Sequence, residues 1–256
     1  MTYDAPVYGE KIKYDDYIQS DLVAGIDLNI DRIAISIVSK DGRLLESKTF
    51  YCHEIEYVRS HNRSNIAGEL AKEVIDYLLS WNVGAFVLED LNIKQTHDTN
   101  KKINRRTSNF AYRKLHDSLL SRGLKMGFKI KLVNPAYTSV IGRFKYSKMY
   151  GLSVHEAASF VIGRRGLGLE EKIPKELIKI LKEKVKPYLI ALLGSMEESD
   201  KASKSGKQKR KYVEMLLSNI DHFKEHHHWK CWNIIHKTLR MMNQEFYDYR
   251  RCNSWY

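Results

Sequence analysis

The fold is decided by residues 22–51, whose sequence is LVAGIDLNIDRIAISIVSKDGRLLESKTFY. Residues 22–28 form a short apolar run with an acid near its end, and residues 32–39 alternate in the manner of a strand. Asp41-Gly42 is a strong hairpin-turn signal that leads into residues 43–51. Because the connections are short, we expect three consecutive antiparallel strands.

Beyond these strands, helical and extended patterns alternate. Apolar residues recur at helical spacing over 66–79, and GAFVLE at 84–89 predicts a buried strand. A helix over about 108–122, a strand at 128–133 and a helix over about 153–165 follow. Helix-sized crossovers between strands imply parallel pairing and right-handed connections. The predicted order βββαβαβα is that of an α/β, RNase H-like (RuvC) core, in which helices flank a mixed sheet.

Three regions are expected along the chain. Residues 1–20 form an N-terminal arm, residues 21–170 the RNase H-like domain, and residues 171–256 a helical C-terminal extension. Within the extension, Pro174 is expected at the first position of a helix, and an apolar stripe that ends at Pro187 is formed by Ile173, Leu177, Ile180 and Leu181. Residues 197–211 are polar and lysine-rich, which predicts an exposed linker. A final helix is expected to carry four aromatic side chains, namely Trp229, Trp232, Phe246 and Tyr249.

The charge of the chain bears on its partners. A net charge of +12 with a pI near 9.4 favours a polyanion, and nucleic acid is the first candidate. The three cysteines show no Cys-x-x-Cys spacing, so neither a disulfide framework nor a four-cysteine zinc ribbon is expected. Residues 1–20 lack the apolar run of a secretory signal, and no stretch approaches the roughly 20 apolar residues of a membrane span. We therefore expect a cytoplasmic protein without a membrane partner.

Two acids stand at the ends of predicted neighbouring strands. Asp27 is near the end of the first strand and Glu89 at the end of the fourth, so both carboxylates should reach the same edge of the sheet. Two-metal cleavage of a phosphodiester needs carboxylates that converge in this way. A single acid at a strand end is more often a turn or capping residue, but the pair together favours a metal site. The adjacent Asp90 should point to the opposite face of the strand.

Four segments carry a resemblance to a known family. They are GIDLNIDRIAIS at 25–36, VLEDLNIK at 87–94, NPAYTSVIG at 134–142 and HEAASFVIGRRGLG at 155–168. In order and spacing they resemble the RuvC motifs of TnpB-like (OrfB) transposon-associated proteins, which are relatives of the type V CRISPR effector nucleases. The resemblance covers residues 22–168. It implies a divalent-metal, RNA-guided DNA endonuclease, with DNA and a guide RNA as partners and with Asp27 and Glu89 as its first two catalytic acids.

Three departures from the family pattern are visible. The position of the third acid falls on His155, and the four-cysteine zinc ribbon that usually follows the Thr-Ser pair is missing after Ser139. The N-terminal half that recognises guide and target is also missing, because the first strand begins about twenty residues into the chain. Either the gene is truncated or the recognition half is supplied from elsewhere.

His155 is therefore the candidate third ligand and catalytic residue. Its neighbour Glu156 has a structural role, because Ser153-x-x-Glu156 predicts a capping box at a helix start. An imidazole suits Mn²⁺ better than Mg²⁺, so the expected cofactor is Mg²⁺ or Mn²⁺ with a bias toward Mn²⁺. The alternative is an inert surface histidine in a decayed site.

Basic residues beside this site are candidate nucleic-acid contacts. Residues 92–114 carry seven Lys or Arg side chains against one acid. Phosphate contacts are expected from Lys94, Lys101, Lys102, Arg105, Arg106, Arg113 and Lys114, and further along from Arg164 and Arg165. The alternatives are a solvated loop for the run and helix-dipole partners for the arginine pair. Tyr112 could stack on a base but is more often a core residue.

Other functions fit the same residues less well. The histidines and the cysteine over 222–231 lack a second ligand pair at zinc-finger spacing, so zinc is not expected. A nuclease-dead module that keeps nucleic-acid affinity is the alternative within the fold. An actin-like or sugar-kinase ATPase would need glycine-rich phosphate loops and a second core repeat, and neither is seen.

Overall fold

The computed structural model describes residues 20–90, 102–196 and 204–241, with the backbone alone for residues 56, 60 and 102–111. These residues fall into two compact units. The first extends to Ser147 and resumes over Leu152–Glu170, and the second comprises Lys148–Gly151 and the chain from Glu171 onward. Apart from Ser20, the expected N-terminal arm lies outside the described residues.

Three antiparallel strands form the first half of the sheet. They are β1 (Leu22–Leu28), β2 (Arg32–Ser39) and β3 (Leu44–Tyr51). Asp27 lies opposite Ala34, and Ala34 lies opposite Thr49. The β2–β3 turn is closed by a 2.8 Å hydrogen bond from the Gly42 amide to the Ser39 carbonyl, and Gly42 has the positive φ of 83° that favours glycine. The predicted trio of strands is confirmed.

Two parallel strands complete the sheet. The strand β4 (Ala85–Glu89) pairs in parallel with β1, and β5 (Lys129–Val133) pairs in parallel with β4. The helix α1 (Ser60–Ser80) makes the crossover from β3 to β4. The strand order is β3-β2-β1-β4-β5, and β2 runs antiparallel to the other four strands. This is the RNase H-like arrangement, and the predicted fold class is confirmed.

One face of the sheet holds the main apolar core. Strand alternation places the even-numbered side chains of β1 on this face, among them the fully buried Ile26. They pack with buried residues of α1 and of α2 (Lys102–Lys125), such as Val74 and Leu115. The helix α2 begins six residues before the expected Ser108. Its first turns hold basic residues without apolar periodicity, so the sequence pattern did not mark its start.

The other face is covered by the helix α5 (Val154–Gly166), and the two backbones approach each other closely. A Cβ atom on Gly25 of β1 would lie 1.9 Å from the Ser159 carbonyl oxygen and 2.3 Å from the Gly163 nitrogen. Ser36 and Ser159 share a buried 2.7 Å hydrogen bond in the same layer. This helix therefore lies directly on the sheet because the strand residue beneath it has no side chain.

A short helical connection precedes α5. It comprises α3 (Thr138–Ile141), a π-helical turn (Gly142–Tyr146) and α4 (Ser147–Tyr150). The predicted capping box of α5 is confirmed, because the Ser153 hydroxyl accepts from the Glu156 amide and the Glu156 carboxylate accepts from the Ser153 amide.

The second unit is helical, as expected, but two of its boundaries differ from expectation. It contains α6 (Lys175–Ile180), a π-helical turn (Leu181–Val185), α7 (Lys186–Gly194), α8 (Lys204–Asp221), a 3₁₀ turn (Phe223–Glu225) and α9 (His228–Met241).

Pro187 does not end the apolar stripe, because the helix continues through it after the π-helical turn. A proline removes one backbone donor and crowds the preceding turn. The π-helical turn that ends at Val185, two residues before Pro187, accommodates both effects. The prediction of a linker over residues 197–211 is wrong for its second half. Residues 204–211 already belong to α8, while residues 197–203 and 242–256 lie outside the described residues. No helix in the described part of the chain has the length and apolar composition that crossing a membrane requires.

The close contact between α5 and β1 can be tested with two glycine variants. Gly25→Ala forces a Cβ atom into backbone that cannot move aside, so we expect a loss of at least about 2 kcal/mol in the free energy of unfolding. Gly68→Ala is the matched control, because nothing lies within 4 Å of its added Cβ in the middle of α1. This control should gain about 0.5–1 kcal/mol. Urea unfolding measures both, and equal effects in the two variants would contradict the packing described.

Candidate catalytic site

Adjacent parallel strands bring the two predicted acids to one edge of the sheet. Gly25 of β1 lies opposite Val87 of β4, and the acids Asp27 and Glu89 each follow two residues later. Since side chains alternate along a strand, both acids lie on the face covered by α5. The strand register therefore places the two carboxylates together.

Asp27 is buried, with only 7% of its surface exposed, and it contacts two nitrogen atoms. Its Oδ2 lies 2.9 Å from Asn29 Nδ2 and 2.9 Å from His155 Nδ1, and these two nitrogens are 3.0 Å apart. With a proton on His155 Nδ1, the two nitrogens are facing donors. Without that proton, the carboxylate and imidazole lone pairs face each other. One of the three contacts is therefore unfavourable in either tautomer.

The helix α5 holds His155 in place over Asp27. His155 is the second residue of the helix and lies between the capping residues Ser153 and Glu156. Glu156 is tied to the sheet twice: Thr49 donates to its Oε1 at 3.1 Å, and Ser36 donates to its backbone oxygen at 3.0 Å. The cap therefore fixes the rotation of the first helical turn and, with it, the direction of the imidazole.

Glu89 is held by a different element. The Thr138 hydroxyl, at the start of α3, donates to Glu89 Oε1 at 2.7 Å. Tyr137, immediately before it, has a left-handed backbone with a φ of 63°, which is uncommon for a bulky side chain and turns the chain sharply into α3. A strained residue at this point brings Thr138 back onto the carboxylate.

The carboxyl group of Glu89 is strongly perturbed. Burial raises its pKa to about 7; the Thr138 hydrogen bond opposes this rise, the negative charge of Asp27 adds to it, and the charge of Arg165 reduces it. Desolvation and a like charge both disfavour the ionised form. A cation between these acids would relieve both effects.

The residues present fit a divalent cation, although they are gathered only in part. Within residues 20–90, 102–196 and 204–241, no group of three His, Cys, Asp or Glu side chains is placed to hold a metal ion. Asp27 Oδ2 and His155 Nδ1, however, are 2.9 Å apart, close to the roughly 3.0 Å between neighbouring ligands on an octahedral ion with 2.1 Å bonds. A shared cation would also remove their donor or lone-pair conflict. Of the predicted trio, Asp27 and His155 touch, whereas Glu89 is bonded to Thr138.

The predicted phosphate-binding residues fall into four groups. Lys94 and Lys101 lie outside the described residues, and Lys102, Arg105 and Arg106 are placed on α2 by backbone alone. Arg113 is exposed on α2, and Lys114 bonds the Ser64 hydroxyl of α1. Arg164 bonds the Gly42 carbonyl, and Arg165 bonds the carbonyls of Asn134 and Ala136. Phosphate binding by all nine residues stays a prediction, and the arginine pair also has a structural role through these carbonyl contacts.

Besides Thr138, two further side chains of the site were not assigned to it from sequence. The Asn29 side chain donates a hydrogen bond to Asp27. The sequence GIDLN could have indicated this contact, because Asn29 is two residues after Asp27 and alternate residues of an extended segment share a face. Tyr112 of α2 is half-buried against the core. Burial raises its pKa, and the charges of Glu89 and Asp27 add to the effect, so its hydroxyl stays protonated and near the acids.

The histidine-rich segment of the second unit is bonded within that unit. His222 Nδ1 lies 2.9 Å from the Ser218 carbonyl, and His228 Nε2 lies 2.6 Å from the Glu171 carbonyl. Cys231 donates to the Phe223 carbonyl at 3.4 Å. These contacts explain the positions of the polar side chains as parts of helix packing.

Comparison with known proteins gives distant relatives. No protein-family model matches the chain. An uncharacterized protein of Saccharolobus solfataricus is 29% identical over 161 residues, which are 58% of this chain and 42% of that protein. An uncharacterized protein of Aeropyrum pernix is 26% identical over 166 residues, which are 60% of this chain and 44% of that protein. The chain thus spans less than half the length of these relatives.

Among solved structures, RuvC of Thermus thermophilus is similar at low identity. One structure gives a TM-score of 0.42 with 14% identity and covers 59% of this chain and 99% of that one. A T. thermophilus RuvC in complex with a Holliday junction substrate gives a TM-score of 0.41 with 14% identity. This match covers 56% of the present chain and 90% of the RuvC chain. At such scores, the assignment of the fold rests on the strand order and register described above.

The raised pKa of Glu89 makes stability depend on pH. Folded Glu89 binds its proton more tightly than the unfolded chain, where the pKa is about 4.5. Its contribution to stability is therefore complete below about pH 4.5 and is lost as the pH rises through 7. With metal chelated, we expect the free energy of unfolding to fall between pH 5 and pH 8 by about 2–3 kcal/mol more in wild type than in Glu89→Gln. Urea unfolding at each pH measures this difference.

The control for this comparison is Glu69→Gln, an exposed acid on α1. It should follow the wild-type pH profile. Parallel profiles for wild type and Glu89→Gln would show that the Glu89 carboxyl is not perturbed by folding.

Proposed function

We propose that this chain is a divalent-metal-dependent nucleic-acid endonuclease of the RuvC type, related to TnpB-like transposon-associated proteins. The observation that supports this most is the arrangement of the buried Asp27 and the half-buried Glu89 at the ends of adjacent parallel strands, with the His155 imidazole against Asp27. Bringing two carboxylates together at one sheet edge, with Asp27 buried and Glu89 desolvated, opposes folding unless the site has a ligand. A divalent cation is the ligand that suits them.

The proposed chemistry divides between the metal and the side chains. Asp27, Glu89 and His155 would hold Mg²⁺ or Mn²⁺, which would supply activation of a water molecule and stabilisation of the charge that develops on the phosphate. Asp27, held by Asn29, and His155, held by the α5 cap, form the rigid side of the site. Glu89 provides the opposite side and must lose its proton to take part. Tyr112 keeps a protonated hydroxyl near the acids, where it can donate a hydrogen bond to a phosphate oxygen.

DNA is the proposed substrate, and a guide RNA is proposed because the four motifs resemble a family of guided nucleases. The basic residues of 92–114 are proposed to neutralise phosphates beside the site. Recognition of guide and target would require the rest of a longer assembly, since the chain spans less than half of the relatives it matches.

Cleavage of DNA by the purified protein tests the proposal. With Mn²⁺ or Mg²⁺ and a labelled single-stranded DNA, wild type should cut and a chelator should abolish cutting. Asp27→Asn and Glu89→Gln should each reduce the rate at least about 100-fold, since each removes a metal ligand or its charge while preserving shape. Asp76→Asn and Glu69→Gln, exposed acids on α1, are controls matched in chemistry and should cut at the wild-type rate.

Binding measured in the same variants separates affinity from chemistry. Phosphate contacts do not depend on the acids, so Asp27→Asn should bind DNA about as tightly as wild type. Cutting by Asp27→Asn at the wild-type rate would refute the site. Binding without cutting in wild type, in either metal, would favour a nuclease-dead binding protein.

The metal preference should depend on His155. An imidazole replaces one negative charge with a nitrogen ligand, which favours Mn²⁺ over Mg²⁺. We expect wild type to cut faster in Mn²⁺ and His155→Asp to gain rate in Mg²⁺, with the ratio of the two rates as the measurement. The same ratio in wild type, His155→Asp and His155→Ala would show that His155 is not a ligand. Cutting by His155→Asp alone would identify wild type as a decayed nuclease.

A further inference from the structure

Two exposed aromatic rings lie stacked where β3 ends. Tyr51 is the last residue of β3, and His53 begins the 3₁₀ turn His53–Glu56 that follows. Their ring centroids are 5.3 Å apart at an interplanar angle of 28°. Tyr51 is 59% exposed and the His53 side chain 67%, so much of the stack is open to solvent.

A cation completes this group of side chains. Arg32 is the cross-strand partner of Tyr51, and its guanidinium carbon lies 5.5 Å from the Tyr51 ring centroid. The same guanidinium bonds Asp31, whose carboxylate also lies 3.8 Å from His53 Nδ1. The Arg32 hydrogen bond holds the pKa of Asp31 below its ordinary value, so the ion pair that fixes Arg32 over the ring persists down to acidic pH.

The stack lies on the face and at the edge of the sheet that carry the candidate catalytic site. Asp27, Ala34 and Thr49 are aligned across β1, β2 and β3, and Tyr51 is two residues beyond Thr49 on the same face. Thr49 contacts Glu156, the neighbour of His155. Two strand spacings and two residues of rise place the Cα atoms of Tyr51 and Asp27 roughly 12 Å apart. A strand of a few nucleotides spans that distance.

We propose that Tyr51, His53 and Arg32 form a stacking platform for an unpaired base of the nucleic-acid strand whose phosphate lies at Asp27. Exposed aromatic rings beside a basic group are the means by which proteins hold single strands without reading their sequence, because every base has a π-face. The inference rests on the proposed function and adds to it a subsite that holds one base at the end of β3.

Fluorescence of 2-aminopurine, placed at successive positions of short oligodeoxynucleotides and oligoribonucleotides, tests the platform on the full chain. Stacking should quench the probe at one position, and quenching in only one of the two series would identify the strand type that the platform accepts. In Tyr51→Ala, quenching should be lost and the affinity should fall about 5- to 150-fold. Tyr51→Trp should retain quenching and affinity because it keeps an aromatic ring. Tyr51→Leu should lose quenching and affinity because it does not. His53→Ala should show a smaller loss than Tyr51→Ala.

The dependence of affinity on salt distinguishes stacking from charge. Loss of one phosphate contact would reduce the slope of log K against log salt by about 0.7 for a single strand. Tyr51→Ala should leave the slope unchanged while lowering the affinity at every salt concentration. Tyr57→Ala, an 85% exposed tyrosine six residues away, is the matched control and should behave as wild type.

The possible outcomes separate the platform from the nuclease. Equal affinity and quenching in wild type and Tyr51→Ala would overturn the platform, and if wild type still cuts with metal the proposed function stands. An equal loss in Tyr57→Ala would also overturn it, because the effect would not be specific to the stack. Absence of both binding and cutting in wild type would overturn the proposed function and the platform together.

Discussion

The contact between Gly25 of β1 and Gly163 of α5 is the constraint on which the rest of the first unit depends. A Cβ atom on Gly25 would lie 2.3 Å from the Gly163 nitrogen, and one on Gly163 would lie 3.1 Å from the Gly25 nitrogen, so the helix backbone lies against the strand backbone itself. Two residues after Gly25 comes Asp27, and eight residues before Gly163 comes His155. The distance between carboxylate and imidazole is therefore set by a backbone contact rather than by flexible side chains. A larger residue at Gly25 would lift the helix and separate the two groups.

The same closeness creates an electrostatic conflict. The apolar surroundings that stabilise the fold also desolvate Glu89, and Asp27 adds a second negative charge nearby. The protein offsets this with the Thr138 hydroxyl and the charge of Arg165, but the pKa of Glu89 is still raised. Side chains that oppose folding and yet are held firmly by a capped helix and a strained turn are characteristic of functional sites. A bound cation, as proposed above, would offset this conflict.

Sequence predicted the sheet well because its signals are local. Alternation in β2, the Asp41-Gly42 turn and the capping box at Ser153 each act within a few residues, and all three were found where expected. The position of Asp27 beside Glu89 followed from strand order.

What sequence did not predict depends on contacts between distant segments. The hydrogen bond from Thr138 to Glu89 requires the left-handed backbone of Tyr137, and the course of the chain past Pro187 requires a π-helical turn that no residue pattern marks. The three mutual contacts of Asp27, Asn29 and His155 form only when α5 is packed on the sheet. Local sequence patterns therefore predict the strands, the helices and the positions of the two acids. The hydrogen bonds that hold those acids depend on tertiary packing.

Strand alternation links the two faces of the sheet, one of which forms the apolar core and the other the candidate site. On β1, Ile26 faces the apolar core beneath α1 and α2, and Asp27 faces α5; on β3, Phe50 faces the core and Tyr51 faces outward on the α5 side. A slip of one residue in the pairing would put Asp27 into the apolar core and Ile26 beneath His155. The free energy that buries the even-numbered side chains of β1 consequently enforces the register that aligns the acids, the histidine and the exposed aromatic stack. A chain with the wrong register would form neither the apolar core nor the site. The site is therefore assembled by the same strand pairing that buries the core.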